Sequence, residues 1–151
     1  MMWGCMTAEG VGYACRRDGR MDAALYCRIL SDELVDTLDY YRLNRDDIIF
    51  QQDNDPKHTS NLAHQWFEDN GVVVLEWPSQ SADLNPIEHL WFHLKQKLNE
   101  YKTQPTSIHE LLQPAEKERN TIPVQVYVNL IENMPRRVDE VLKAKGKHTK
   151  Y

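Results

Sequence analysis

The stretch "GVVVLEWP", residues 71–78, constrains the fold most. Four consecutive apolar residues, Val72 to Leu75, sit between a glycine and a proline. A short, β-branched, unalternating run of this kind predicts a strand buried on both faces. Such a strand needs helices on either side of its sheet, and the flanking sequence supplies them. Before it, "TSNLAHQWFEDN" predicts a helix with Leu62, Ala63, Trp66 and Phe67 turned inward and Gly71 as its stop. After it, "LNPIEHLWFHLKQKLNEY" keeps Ile87, Leu90, Trp91, Leu94, Leu98 and Tyr101 on one 3.6-residue period.

The same logic extends in both directions. Met1–Met6 and Val11–Arg16 are strand-like, with Ala8-Glu9-Gly10 as the turn of a hairpin. "MDAALYCRILSDELVDTLDYY" predicts a helix capped by Asp22, with Leu25, Tyr26, Ile29, Leu30, Leu34 and Leu38 on its apolar face. Ile48, Ile49 and Phe50 predict another buried strand. Toward the C-terminus, Ser107 and Glu110 fit a capping box, and Pro114 is expected to break the helix that follows within about two turns. Two short helices are expected near Val124–Asn133 and Pro135–Lys143, ending before Gly146. The element order is that of an α/β chain with a mixed sheet. Residues 1–104 are expected to form its core and 105–151 a helical segment of the same domain.

Charge and cysteine content narrow the function classes. The net charge is −5, which weighs against a general nucleic-acid binder. Positive clusters at Arg16, Arg17 and Arg20, at Arg136 and Arg137, and in the tail "KAKGKHTKY" read first as solvated surface. Cys5, Cys15 and Cys27 are odd in number and widely spaced, which suits buried thiols rather than a disulfide frame or zinc site. No apolar run approaches the ~20 residues of a membrane span, and the start lacks a secretory pattern, so no membrane partner is expected.

Two acids stand out by position. In "IIFQQDNDPKHTS", Asp53 follows directly on a predicted strand, where sites in α/β sheets are commonly built. Asn, Asp and Pro also make turns, so Asp53-Asn54-Asp55-Pro56 has a purely local explanation. In "DLNPIEHLW", Glu88 lies in the first turn of the strongest helix. Its local explanation is a capping box with Asn85 as N-cap and Pro86 as first helical residue.

"FQQDNDPKHTS", "EWPSQSADLNPIEHLW" and the opening "WGCMTAEGVGYACRRDGRMDAALYCRIL" together resemble the catalytic core of the mariner superfamily of DDE-type transposases. The resemblance runs through nearly the whole chain. It implies an RNase H-like mixed sheet flanked by helices, with a helical C-terminal tail. It also implies three acids that hold two Mg2+ or Mn2+ ions, used to cut DNA and join the freed 3′ hydroxyl to a target. Carried over, Asp53 is the second acid and Glu88 the third, both catalytic and metal-binding. Asp55, Lys57, His58 and Asn85 are candidate supporting or DNA-contacting residues. Carboxylates suit this chemistry because Mg2+ prefers hard oxygen ligands and two such ions can serve both sides of an in-line displacement.

The resemblance places the family's first acid on a central strand ahead of the opening hairpin. The expected fold therefore lacks that strand, and the metal site is expected to be incomplete, leaving the chain inactive by itself. The hairpin would then pair directly with the Ile48 strand, leave a gap, or accept a strand from another chain. Ala82 stands where the family usually has Pro, and Pro114 and Arg119 interrupt a stretch that is usually helical with a Trp. Expected partners are transposon-end and target DNA, a second copy, or an intact transposase, and the expected location in a eukaryote is the nucleus. The alternative is a transposon-derived module without catalysis that binds DNA or pairs with a transposase. His89 and His93, at i and i+4, could in principle share zinc, but no Glu lies between them as a metalloprotease helix would need.

Overall fold

The computed structural model describes residues 2–17, 19–76, 84–103, 105 and 107–144. Asp18, the strand end at Trp77-Pro78, Ala82 and the chain beyond Ala144 lie outside the described residues. The chain divides into two compact units, residues 1–5 with 12–82 and residues 6–11 with 83–151. Among the described residues no helix is long and apolar enough to cross a membrane.

The opening hairpin forms as expected, with β1 at Met2–Thr7 and β2 at Gly10–Arg16. Thr7 Oγ1 accepts the Glu9 N–H at 3.1 Å, and Gly10 takes the positive φ (144°) that closes the turn.

The first unit is organised by its long helical stretch. Asp22 caps α1 (Ala23–Ile29), accepting the Leu25 N–H at 2.7 Å. A π turn, Leu30–Leu34, leads into α2 (Val35–Tyr40). Tyr26, Ile29, Leu30, Leu34 and Leu38 are all buried, as the period required. Thr37 is buried with them and satisfied: its hydroxyl accepts the Tyr13 N–H at 2.7 Å and donates to the Glu33 carbonyl at 2.6 Å. The close approach needs Gly12, because a Cβ there would lie 2.8 Å from Thr37 Cγ2 and closer still to Cys5 Sγ. No disulfide joins Cys5, Cys15 and Cys27.

Helix α3 (Asn61–Asp69) packs on α1 through buried Ala63 and Phe67. Leu62 was expected inward and is 50% exposed instead. Ala63, Trp66 and Phe67 define the inward stripe, and Leu62 lies on its edge, about 100° round the helix from the fully buried Ala63. Gly71, at φ 65°, ends the helix. Its N–H bonds the Glu68 carbonyl and the Val72 N–H bonds the Phe67 carbonyl, the paired closure of a Schellman motif.

The strands correct the sequence expectation. β3 (Ile49–Phe50) and β4 (Val73–Val74) are two residues each and parallel, with Ile49 opposite Val73 and Phe50 opposite Val74. Ile48, Phe50 and Val74 pack against the helical core, and Val72 is buried within it. Ile49 is 66% exposed and Val73 58% exposed, so the two runs are not buried on both faces. Successive strand residues alternate faces, and the helical core covers one face only. The hairpin and β3–β4 form two separate two-stranded sheets. The expected direct pairing of the hairpin with the Ile48 strand is therefore not seen among the described residues.

The second unit is helical. Leu90, Leu94 and Leu98 of α4 (Pro86–Asn99) are buried. Leu90, Ile122 and Tyr127 form a core on which Met6, Val11, Ile87, Val126 and Leu130 pack. α5 runs from Ile108 to Asn120 straight through Pro114, which was expected to break it. A proline costs a helix one hydrogen bond and a steric adjustment. Here the residues beyond it are anchored from outside: Ala115 is buried, Tyr101 donates to Glu118 at 2.6 Å, and Tyr127 donates to the Arg119 carbonyl at 3.3 Å. α6 (Val124–Glu132) and α7 (Met134–Lys143) follow close to the expected bounds. Arg137 of α7, expected on a solvated surface, is 3% exposed, and its charge reaches His89 of α4.

Candidate active site

Asp53 stands three residues beyond β3, at the start of a loop that leads to α3. Its Oδ1 accepts the Asp55 N–H at 3.2 Å. Asp55 repeats the pattern, its Oδ1 accepting the Lys57 N–H at 3.1 Å. Two successive Asx turns thus carry the chain to Ser60, whose hydroxyl accepts the Ala63 N–H at 3.1 Å and caps α3. The local turn explanation is correct for these residues. It accounts for one oxygen of Asp53 only.

That same oxygen lies 2.6 Å from His58 Nδ1. An ionised carboxylate can only accept, so Nδ1 carries the proton and donates. His58 is mostly enclosed, with its side chain 15% exposed, whereas that of Asp53 is 61% exposed. Every bond to the Asp53 side chain falls on Oδ1, so among the described residues Oδ2 is unengaged. Lys57 turns its ammonium onto Asp55 at 2.5 Å, and this contact, more than burial opposes it, holds the Asp55 carboxyl below its ordinary range. Lys57 and His58, the two candidate phosphate contacts, are thus each occupied by a neighbouring carboxylate.

A second layer lies behind the loop. Tyr26 of α1 is 1% exposed, and its hydroxyl donates to Gln52 Oε1. Gln52 Nε2 donates to the His58 carbonyl at 3.2 Å. The Tyr26 and His58 rings stack with centroids 4.2 Å apart and planes tilted by 40°. Burial, then the Asp53 charge, pushes the Tyr26 phenol well above its usual range, so it remains a donor. Sequence reasoning missed Tyr26 and Gln52 as parts of this site. The available signal was a tyrosine on an otherwise aliphatic helix face, since a buried phenol needs a partner.

Glu88 is positioned by the start of α4. Asn85 Oδ1 accepts the Ile87 N–H at 3.3 Å, and Pro86 takes the first helical position. The expected capping box is not closed. The Glu88 N–H bonds the Asn85 carbonyl at 3.2 Å, and no described residue engages the exposed Glu88 carboxylate. The cap acts through Asn85 and the second helical N–H, which leaves Glu88 without a capping role.

Asp53 belongs to the first unit and Glu88 to the second. Among the described residues no three His, Cys, Asp or Glu side chains group as a metal site, and none joins His89 and His93. The donor chemistry of the two acids still suits a hard divalent cation: each presents an exposed carboxylate oxygen bearing no hydrogen bond from a described residue.

The model of the DDE superfamily endonucleases matches residues 1–112. The chain belongs to this family. Among sequence relatives, the Tcb1 transposable-element transposase of Caenorhabditis briggsae is 41% identical over 152 residues, and the Tc1 transposase of Caenorhabditis elegans is 39% identical over 153. Both alignments take in 100% of this chain and 54% of the relative, so the chain spans about half the length of the curated relatives it matches. In three dimensions it is similar to the Mos1 transposase catalytic domain solved with Raltegravir and Mn, with a TM-score of 0.87 at 22% identity, covering 99% of this chain and 76% of that one. The fold is RNase H-like, as the resemblance implied.

Proposed function

We propose that this chain is the acid-bearing portion of a DNA transposase catalytic domain, with Asp53 and Glu88 as ligands for the divalent cations of strand cleavage and strand transfer. One observation carries the proposal. The two acids singled out by the family's motifs each present a carboxylate oxygen that no described residue engages. Divalent cations, when bound, would activate a nucleophilic oxygen and stabilise the leaving oxygen of a phosphodiester. The chain's own residues prepare the ligands. His58 and the Asp55 N–H hold Asp53 Oδ1, leaving Oδ2 available. Asn85 sets the first turn from which Glu88 projects.

Further support comes from the structural neighbours. The Mos1 catalytic domain is known with Mn and with Mg, and Mos1 transposase in a paired-end complex with a transposon end. By analogy the partner here is transposon-end and target DNA, handled by paired copies in the nucleus of a eukaryotic host.

Plasmid nicking tests the assignment. A catalytic domain that includes residues 1–151 should nick supercoiled DNA in Mn2+. That activity should vanish in Asp53→Asn and in Glu88→Gln. Robust nicking that survives either substitution would overturn the proposal.

A further inference from the structure

We propose that Tyr26 and Gln52 are positioning residues that act through His58 to hold Asp53 in one rotamer, so that Oδ2 is the oxygen offered to a divalent cation. The inference rests on Asp53 being a ligand, and goes beyond that to say what aims it.

The geometry carries the proposal. Asp53 sits on an exposed loop, where an aspartate would ordinarily sample several rotamers. Its Oδ1 is instead fixed from two sides, by the Asp55 N–H at 3.2 Å and by His58 Nδ1 at 2.6 Å. His58 could swing away unless it were itself held, and it is held twice. Its ring lies on the Tyr26 ring at 4.2 Å, and its carbonyl receives Gln52 Nε2 at 3.2 Å. Gln52 is in turn oriented by the Tyr26 hydroxyl, which takes its Oε1 and so turns its NH2 group toward His58. Tyr26 is fully enclosed by the core of its unit, with Ile29 and Leu30 beside it on the helix. A rigid helix therefore reaches an exposed carboxylate through two side chains. Partners of this kind orient metal ligands, and their loss commonly costs about 10–100-fold in affinity.

Mn2+ binding to the full chain, followed by the EPR signal of free Mn2+, tests the proposal alongside thermal melting. His58→Ala removes the donor and the ring. His58→Asn removes the ring but keeps an N–H donor near the place of Nδ1. Tyr26→Phe keeps the ring and removes only the hydroxyl. Relative to wild type, His58→Ala should bind Mn2+ at least about tenfold more weakly, Tyr26→Phe about threefold to tenfold more weakly, and His58→Asn within about threefold. His58→Ala and His58→Asn should melt at similar temperatures, so a purely structural role would give them equal affinities. Asp53→Asn serves as the reference for the ligand itself. If it abolishes binding while Tyr26→Phe and His58→Ala bind as wild type, the positioning proposal is overturned and the ligand assignment stands. If Asp53→Asn binds as wild type, the ligand assignment fails. The metal-free 13C shift of the Asp53 carboxyl then decides: a change in Tyr26→Phe upholds positioning of the side chain, and no change overturns it.

Discussion

Asp53 and Glu88 are both exposed acids, one in the loop ahead of α3 and the other in the first turn of α4, yet their surroundings differ. Asp53 is tied down by a backbone N–H and an imidazole, with a buried tyrosine behind them. No described residue bonds the Glu88 carboxylate at all. The difference shows that a local structural role and a chemical one need not compete. At Asp53 the turn uses one oxygen and leaves the other. At Glu88 the available structural role, closing a capping box, goes unused although the cap residue is in place. On the proposed function, one ligand would be aimed before any cation arrives and the other would adjust to it.

Substitutions can break this contrast, beginning with the core behind Asp53. Tyr26→Ala empties a fully buried aromatic site and should cost about 3–5 kcal/mol in urea unfolding, whereas Tyr26→Phe should cost about 1 kcal/mol. Equal small losses in both would mean that Asp53 is not anchored to the core. Asn85→Ala should cost about 1 kcal/mol, the usual worth of an N-cap. Glu88→Gln should cost less than about 0.5 kcal/mol, since only its interaction with the helix terminus is lost. A loss above about 1 kcal/mol would show that the capping box forms after all.

The smallest effect concerns His89, next along α4. Burial, and then the charge of Arg137, lowers its proton affinity below that of an ordinary histidine. The folded chain therefore binds this proton less readily than the unfolded one. Its contribution to stability is complete above the unfolded value, about pH 6.5, and is lost as pH falls through the lower folded value. The urea midpoint of His89→Gln should accordingly drop less than that of wild type between pH 7.5 and 5.5. An equal or larger drop would contradict the shift.

Much of this was legible in the sequence because it depends on near neighbours. The apolar stripe Tyr26–Leu38, the Asp22 cap, the Gly71 stop and the placing of Asp53 and Glu88 after predicted strands all follow from spacing over a few residues. The failures share a different cause. The runs at Ile48–Phe50 and Val72–Leu75 show apolar residues on both faces, but not which face the helices would cover, and Ile49 and Val73 stay exposed. Pro114 was judged from its own helix, whereas Tyr101 and Tyr127 hold the turns beyond it. Tyr26 and Gln52 are separated by most of a helix and a strand, so their bond becomes visible only in the folded unit.

The central proposal, that Asp53 and Glu88 are both divalent-cation ligands, is tested most directly by paramagnetic broadening. Carboxyl-13C-labelled protein, with the two resonances assigned by Asp53→Asn and Glu88→Gln, would be titrated with substoichiometric Mn2+. The account expects the Asp53 and Glu88 signals to broaden together and before those of the other acids. An Asp53 signal that broadens while Glu88 stays sharp would contradict it.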